Sequence, residues 1–169
     1  MTRKGIDVFL EGLERDHFWA ILLLQEFDGS ARGESLTTAD GHAVYIVPPC
    51  SGCRSAGIVV HKDFVHCILE DSFNSVARIG SILLHWGGHN LQFITAHLPP
   101  RSRSLEEFCA TLDNLERMLD FNTIHQDFIA HGKQSKDVNG RRHHIILGVD
   151  AQANLGPQQD TDDNNIVGP

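Results

Sequence analysis

Apolar residues recur at Ile6, Phe9, Leu10 and Leu13, the spacing of one helical face, and the pattern then changes to an unbroken run, WAILLLQ, from Trp19 to Gln25. The expectation is an amphipathic helix followed by a buried strand. A polar stretch, FDGSARGESLTTADG, leads into short β-like pieces at AVYIV, AGIVV, VARIGSILLHW and LQFITAHL, with GGHN closing the last two into a hairpin. In RSRSLEEFCATLDNLERMLDF, Ser104 and Glu107 have the spacing of a capping box. Leu105, Phe108, Leu112, Leu115, Met118 and Leu119 then form one apolar stripe, which makes this the clearest helix of the chain. Helical character is expected to continue to His131. The polar connector GKQSKDVNGRRH follows, then a last strong strand, HIILGV, and a loop-like tail, GPQQDTDDNNIVGP. Helices and strands interleave without internal repeats, which predicts an α/β (α+β) fold.

Composition narrows the classes. A chain of 169 residues with 41% apolar content is expected to form one domain with a real core. The formal charge of −8 argues against a dedicated basic nucleic-acid clamp and fits a site that holds a cation. No apolar run approaches the roughly 20 residues needed to cross a bilayer, and the N-terminal stretch carries acids where a signal peptide has its apolar segment. No membrane association is therefore expected, and the chain reads as soluble and intracellular. Cys50, Cys53, Cys67 and Cys109 are too few and too scattered for a disulfide framework, which fits a reducing compartment.

Two strands expected to be buried end in acids, ILLLQEF at Glu26 and IILGVD at Asp150, and a third, LQFITAHLPP, ends in His97. A carboxylate at the mouth of an apolar strand is costly unless paired, and a hard divalent cation such as Mg²⁺ is a natural partner for oxygen ligands. Glu, His and Asp delivered by three strand ends, with an amide nearby, suit metal-assisted attack of water on a phosphate. Taken singly, each residue also has a plain structural role: a loop cap, a rim histidine, a turn.

Other groupings point to chemistry less strongly. Cys50, Cys53, His61, His66 and Cys67 invite a zinc reading, but only seven residues separate Cys53 from His61, where structural zinc pairs usually have about 12 or more between them. No zinc is expected. The DTDDNN segment lacks the central glycine and closing glutamate of a calcium loop. Lys133, Lys136, Arg141, Arg142, His143 and His144 could touch a nucleic-acid backbone, and a solvated loop accounts for them equally well. Arg101 and Arg103, just past AHLPP, lie closer to the strand-end residues and are better placed to hold a substrate phosphate.

The segments LLLQEF, FITAHLPP and IILGVDAQANLG, in this order and with a long amphipathic helix between the last two, resemble the endonuclease/exonuclease/phosphatase family. More narrowly the chain is similar to the endonuclease segment of LINE-type retrotransposons, whose aspartate motif is followed by a stretch like NNIVGP. The resemblance implies a DNase I-like fold, a two-sheet β-sandwich flanked by helices. It also implies Mg²⁺- or Mn²⁺-dependent phosphodiester hydrolysis with DNA as substrate. Carried over residue by residue, Glu26 is the metal-binding glutamate, Asp150 orients the attacking water, and His97 stands where the family hydrogen-bonds the scissile phosphate.

The chain departs from that pattern at three places. Gln152 occupies the position where the family has asparagine, with Asn154 nearby but out of register. The family's opening strand and its closing aspartate-histidine pair have no counterpart, and Asp16-His17 falls in the N-terminal helix. The chain thus reads as an incomplete family domain. The alternatives to a DNA-nicking enzyme are a catalytically dead remnant acting as an interaction module, and a phosphodiesterase for a lipid headgroup or small phosphoester.

Overall fold

The computed structural model describes residues 3–27, 34–48, 55–99, 104–119 and 143–150. Its elements are α1 (Arg3–Asp16), β1 (Ile21–Phe27), β2 (Glu34–Thr37), β3 (Ala43–Ile46), β4 (Ser55–Val60), a 3₁₀ turn (Lys62–Cys67), β5 (Asn74–Val76), β6 (Ile79–Trp86), β7 (His89–His97), α2 (Leu105–Leu119) and β8 (His143–Asp150). They form two four-stranded sheets, ordered β1-β4-β3-β2 and β5-β6-β7-β8. All neighbours are antiparallel except β7 and β8. Parallel neighbours need a crossover connection, and the chain between them passes through α2.

Alternation along the strands places the core. Ala43, Ile58 and Val60 of the first sheet meet Ile82, Leu84 and Phe93 of the second, with Cys67 closing one side. The residues between them face outward: Val44, Ile46 and Val59 take the apolar face of α1 through Ile6 and Leu10, with Trp19 beside them. On the other side Ile79, Ile94 and Ala96 are covered by Leu115 and Met118 of α2. Each strand therefore serves two apolar layers, one between the sheets and one under a helix.

Several local features depart from the sequence pattern. The polar stretch after β1 contains β2, a strand without apolar alternation that forms because β3 offers it a paired edge. VARIGSILLHW divides into β5 and β6 at Ala77 and Arg78, both with positive φ. The buried stripe of α2 is Thr111, Leu115 and Met118, whereas Leu105 and Leu112 are exposed. The Thr111 hydroxyl donates to the Glu107 carbonyl one turn back, at 2.8 Å, which satisfies it in this buried position. Ser104 accepts the Glu107 amide N–H at 3.1 Å, half of the expected capping box, while the Glu107 carboxylate pairs with the guanidinium of buried Arg78.

The strand HIILGV is not buried. Ile145, Ile146, Leu147 and Val149 remain about two-fifths exposed, because among the described residues β8 has a neighbour only on its β7 side. Among the described residues β1 is likewise the outer strand of its sheet, and it is only half-buried. The helical extension to His131, the polar connector and the tail lie outside the described residues.

Close packing sets a measurable constraint at Gly80. A Cβ there would lie 2.4 Å from Cγ2 of fully buried Val47, a β-branched side chain with little freedom to move aside. Gly80→Ala is expected to destabilise the protein by about 1–3 kcal/mol through overpacking, read as a lower urea midpoint at unchanged slope. An unchanged midpoint would show that the two sheets have slack at this point.

Candidate metal centre at three strand ends

β7 and β8 run in parallel register with His97 opposite Asp150, so the last residues of both strands stand side by side on one face. The Leu98 amide donates to the Asp150 carbonyl at 2.9 Å and extends the ladder to this point. That face looks toward the first sheet, since His97 shares its parity with Phe93 in the apolar layer between the sheets. β1 packs across this interface against β7 and β8 and brings its own C-terminal end to the same corner.

Plain alternation would send Glu26 the wrong way. Ile21 and Leu23 point between the sheets, Leu22 and Leu24 point toward α1, and Glu26 would follow Leu24. The register instead shifts between Leu24, opposite Gly57, and Phe27, opposite Ser55, so two residues of β1 stand against one of β4. Glu26 takes φ 53°, a left-handed conformation that non-glycine residues seldom adopt. This β-bulge re-aims the carboxylate, as bulges near functional sites do. Glu26 Oε1 comes to 3.7 Å from His97 Nε2, and one donor atom from each of Glu26, His97 and Asp150 lies within 4.8 Å of the others. The imidazole is buried and forms a floor, while the Glu26 carboxylate is 43% exposed at the rim. Two carboxylates and one imidazole make an oxygen-rich donor set of the kind that hard divalent cations select.

Of the residues singled out in the sequence, the structure brings these three together. Gln152, Asn154, Arg101 and Arg103 lie outside the described residues, as do Lys133, Lys136, Arg141, Arg142, Cys50 and Cys53. His144 is exposed and its Nε2 lies 3.2 Å from His89 Nδ1. His66 and Cys67 contact each other at 3.4 Å, whereas His61 turns away from them toward α1.

That turn builds a second polar cluster which the sequence pattern did not indicate. Glu14 of α1 faces His42, just before β3, and His61, just after β4, with its Oε1 at 3.3 Å and 2.8 Å from their Nε2 atoms. Glu14, His42 and His61 also satisfy the distance condition for a metal group. Hydrogen bonding decides against that use. The Lys62 amide donates to His42 Nδ1 at 3.0 Å and the Asp63 amide to His61 Nδ1 at 3.2 Å, so in each neutral ring the proton sits on Nε2, from which His61 donates to Glu14 while His42 only lies near it. A metal-bound imidazole needs its lone pair on the ligating nitrogen and a proton on the other, which here would oppose a backbone N–H. Lys62 Nζ, 3.1 Å from the same carboxylate oxygen, already supplies the cation. The cluster is a clasp that pins the C-terminal end of α1, with Trp19 packed against both rings at centroid distances of 5.0 and 4.8 Å.

No family model, no curated protein and no solved structure matches the chain.

The clasp makes stability depend on pH. Hydrogen bonding from Lys62, and then from His61, holds the Glu14 carboxyl below its ordinary range. Burial, only partly offset by Glu14 and Asp40, pushes His42 below the ordinary histidine value, with His61 and Lys62 acting in the same direction. As pH falls below about 6.5 the unfolded chain takes up a proton at His42 before the folded chain does, so stability drops from there through the folded value. Glu14 adds a second loss in the acid range, because its depressed folded value means stability that is present above the ordinary glutamate range and disappears below it. The urea midpoint should therefore decline between about pH 7 and pH 5.5, and decline less in His42→Gln. Equal slopes in the two proteins would remove His42 as the origin.

Proposed function

We propose that Glu26, His97 and Asp150 form the divalent-metal centre of a phosphodiesterase, and that the chain is a retroelement-type endonuclease unit of the endonuclease/exonuclease/phosphatase class that nicks DNA. The observation that carries this reading is the convergence of the three strand-end side chains within 4.8 Å, achieved at Glu26 only through a bulge and a left-handed backbone. The two-sheet architecture with a helix on each outer face supports the same reading, being the arrangement that the resemblance implies.

Glu26 and Asp150 would hold Mg²⁺ or Mn²⁺ through carboxylate oxygens, and their rim positions leave room for substrate and water. A bound cation of this kind acts as a Lewis acid toward a phosphoryl oxygen. Asp150 is placed to orient a water by accepting its hydrogen bond, and His97, held in the floor by its buried surroundings, presents Nε2 to the same space for a phosphate oxygen. Gln152 and the arginines at 101 and 103 complete the proposal as contacts to the phosphodiester backbone.

Mn²⁺ or Mg²⁺ at about 100 times its dissociation constant should stabilise the protein by about 2.7 kcal/mol, seen as a rise in Tm. That rise should vanish in a Glu26→Gln, Asp150→Asn double variant. Relaxation of supercoiled plasmid in Mg²⁺ should fall about 10²–10⁴-fold in the same variant. Equal nicking by the two proteins would overturn the assignment, and turnover of a lipid or small phosphodiester with no plasmid relaxation would replace DNA as the substrate.

The left-handed backbone at Glu26 gives a second test. A residue kept for structure should lose stability when replaced, whereas one kept for chemistry under strain should release it. Glu26→Gly should raise stability by about 1 kcal/mol while abolishing the metal response, since glycine meets no Cβ penalty at this φ. Lower stability together with a retained response would show that the carboxylate is a structural partner.

A further inference from the structure

We propose that Gln25 is a positioning residue for this centre: its side-chain amide, fixed between β7 and β8, sets the backbone conformation that aims Glu26. The inference rests on the proposed metal centre for its purpose, although the positioning itself can be read without any metal.

Gln25 shares the inward parity of Ile21 and Leu23 and enters the interface between the sheets one residue before the left-handed turn. Its Nε2 lies 3.2 Å from Thr95 Oγ1 on β7 and 3.3 Å from the Gly148 carbonyl on β8. A carbonyl can only accept, so the amide NH₂ must face this way and both of its protons are engaged. The Thr95 hydroxyl in turn donates to the Leu24 carbonyl on β1 at 3.3 Å. The residue before the bulge is thus held through its backbone and the first bulge residue through its side chain, on both strands that carry the other two ligands. Thr95 and Gly148 are themselves partners across the β7–β8 ladder, two residues before His97 and Asp150.

The close approach is built into the sequence at Gly148. A Cβ there would lie 2.7 Å from Leu23 Cδ1, and Gln25 Nε2 would be 3.4 Å from it. Only a bare backbone lets β1 come near enough for the amide to reach the carbonyl. Thr95 is fully buried, and a polar group so placed is costly unless satisfied. Leucine or methionine at position 25 would fill the space with less difficulty, so an amide linking all three strands points to a requirement for direction. Oriented partners of metal ligands typically change metal affinity 10–100-fold when removed.

The experiment uses Gln25→Met, which keeps length and volume and removes both hydrogen bonds, with Thr95→Val as a second route to the same disconnection. Ile82→Val, in the apolar layer without any link to β1's bulge, serves as a control for general loss of stability. The first measurement is the three-bond coupling between the Glu26 amide and α protons in metal-free protein. It should report the left-handed backbone in the wild type and move toward the extended-strand value in Gln25→Met and Thr95→Val, but not in Ile82→Val. The second is Mn²⁺ binding followed by the electron paramagnetic resonance of free Mn²⁺, which should weaken 10–100-fold in Gln25→Met and stay unchanged in Ile82→Val. An unchanged coupling in both disconnecting variants, or an equal loss of Mn²⁺ affinity in Ile82→Val, would overturn the positioning role. No Mn²⁺ uptake by the wild type, with the coupling changed as expected, would overturn the metal centre and support the positioning.

Discussion

The structure turns on the place where β1 leaves its own ladder and is held by the opposite sheet. Two sheets of alternating sequence pack through a dry layer, and a dry layer cannot accept loose backbone groups. The bulge at Gln25 and Glu26 interrupts the pairing of β1 with β4, and the Leu24 carbonyl finds a buried partner in the Thr95 hydroxyl. That bond and the two made by Gln25 bind β1 to β7 and β8 at the one level where a strand of each sheet delivers an acid. Without the bulge, Glu26 would lie under α1 in an apolar environment, where an unpaired carboxylate is very costly.

Most of the fold was legible because it depends on local period. The N-terminal helix, the apolar strands AGIVV and LQFITAHL, the GGHN turn and the Ser104 cap all appear where their patterns predict. β2 was not legible because its pairing depends on β3 rather than on its own alternation. The exposure of β8 was also hidden: HIILGV has the composition of a central strand, and its place at the edge of the described sheet is a matter of topology. Of the site, the residue types and their strand-end positions could be read, including Glu26, His97 and Asp150. The bulge could not, since it follows from contacts between residues about 70 and 120 positions apart in sequence.

The two clusters of Glu and His contain nearly the same side chains, and their surroundings give them different roles. At Glu14 backbone amides take the inner nitrogens of His42 and His61, the outer nitrogen of His61 hydrogen-bonds the carboxylate, and Lys62 balances the charge. Such a set resists a metal and responds to protons instead. At Glu26 two carboxylates share one corner with a single imidazole, which lies 3.7 Å from the Glu26 carboxylate. Two carboxylates this close offer oxygen ligands to one cation. Spacing of donor atoms alone does not separate these cases; at Glu14 the backbone amides that hold Nδ1 of His42 and His61, with Lys62 on the carboxylate, do.

The position of the Glu26 and Asp150 carboxylates on the outer strands of the two described sheets follows from the same logic. A central strand is paired on both sides, and a bulge there would break two ladders, whereas among the described residues β1 has only β4 to accommodate. β8 likewise has only β7 among the described residues, so Asp150 stands at its strand end on the face toward the first sheet without displacing a further described strand. Outer strands also leave the carboxylates partly solvated, which lowers the cost of their charge before a cation is bound. The partly exposed aliphatic residues of β8 go with its place at the edge of the described sheet.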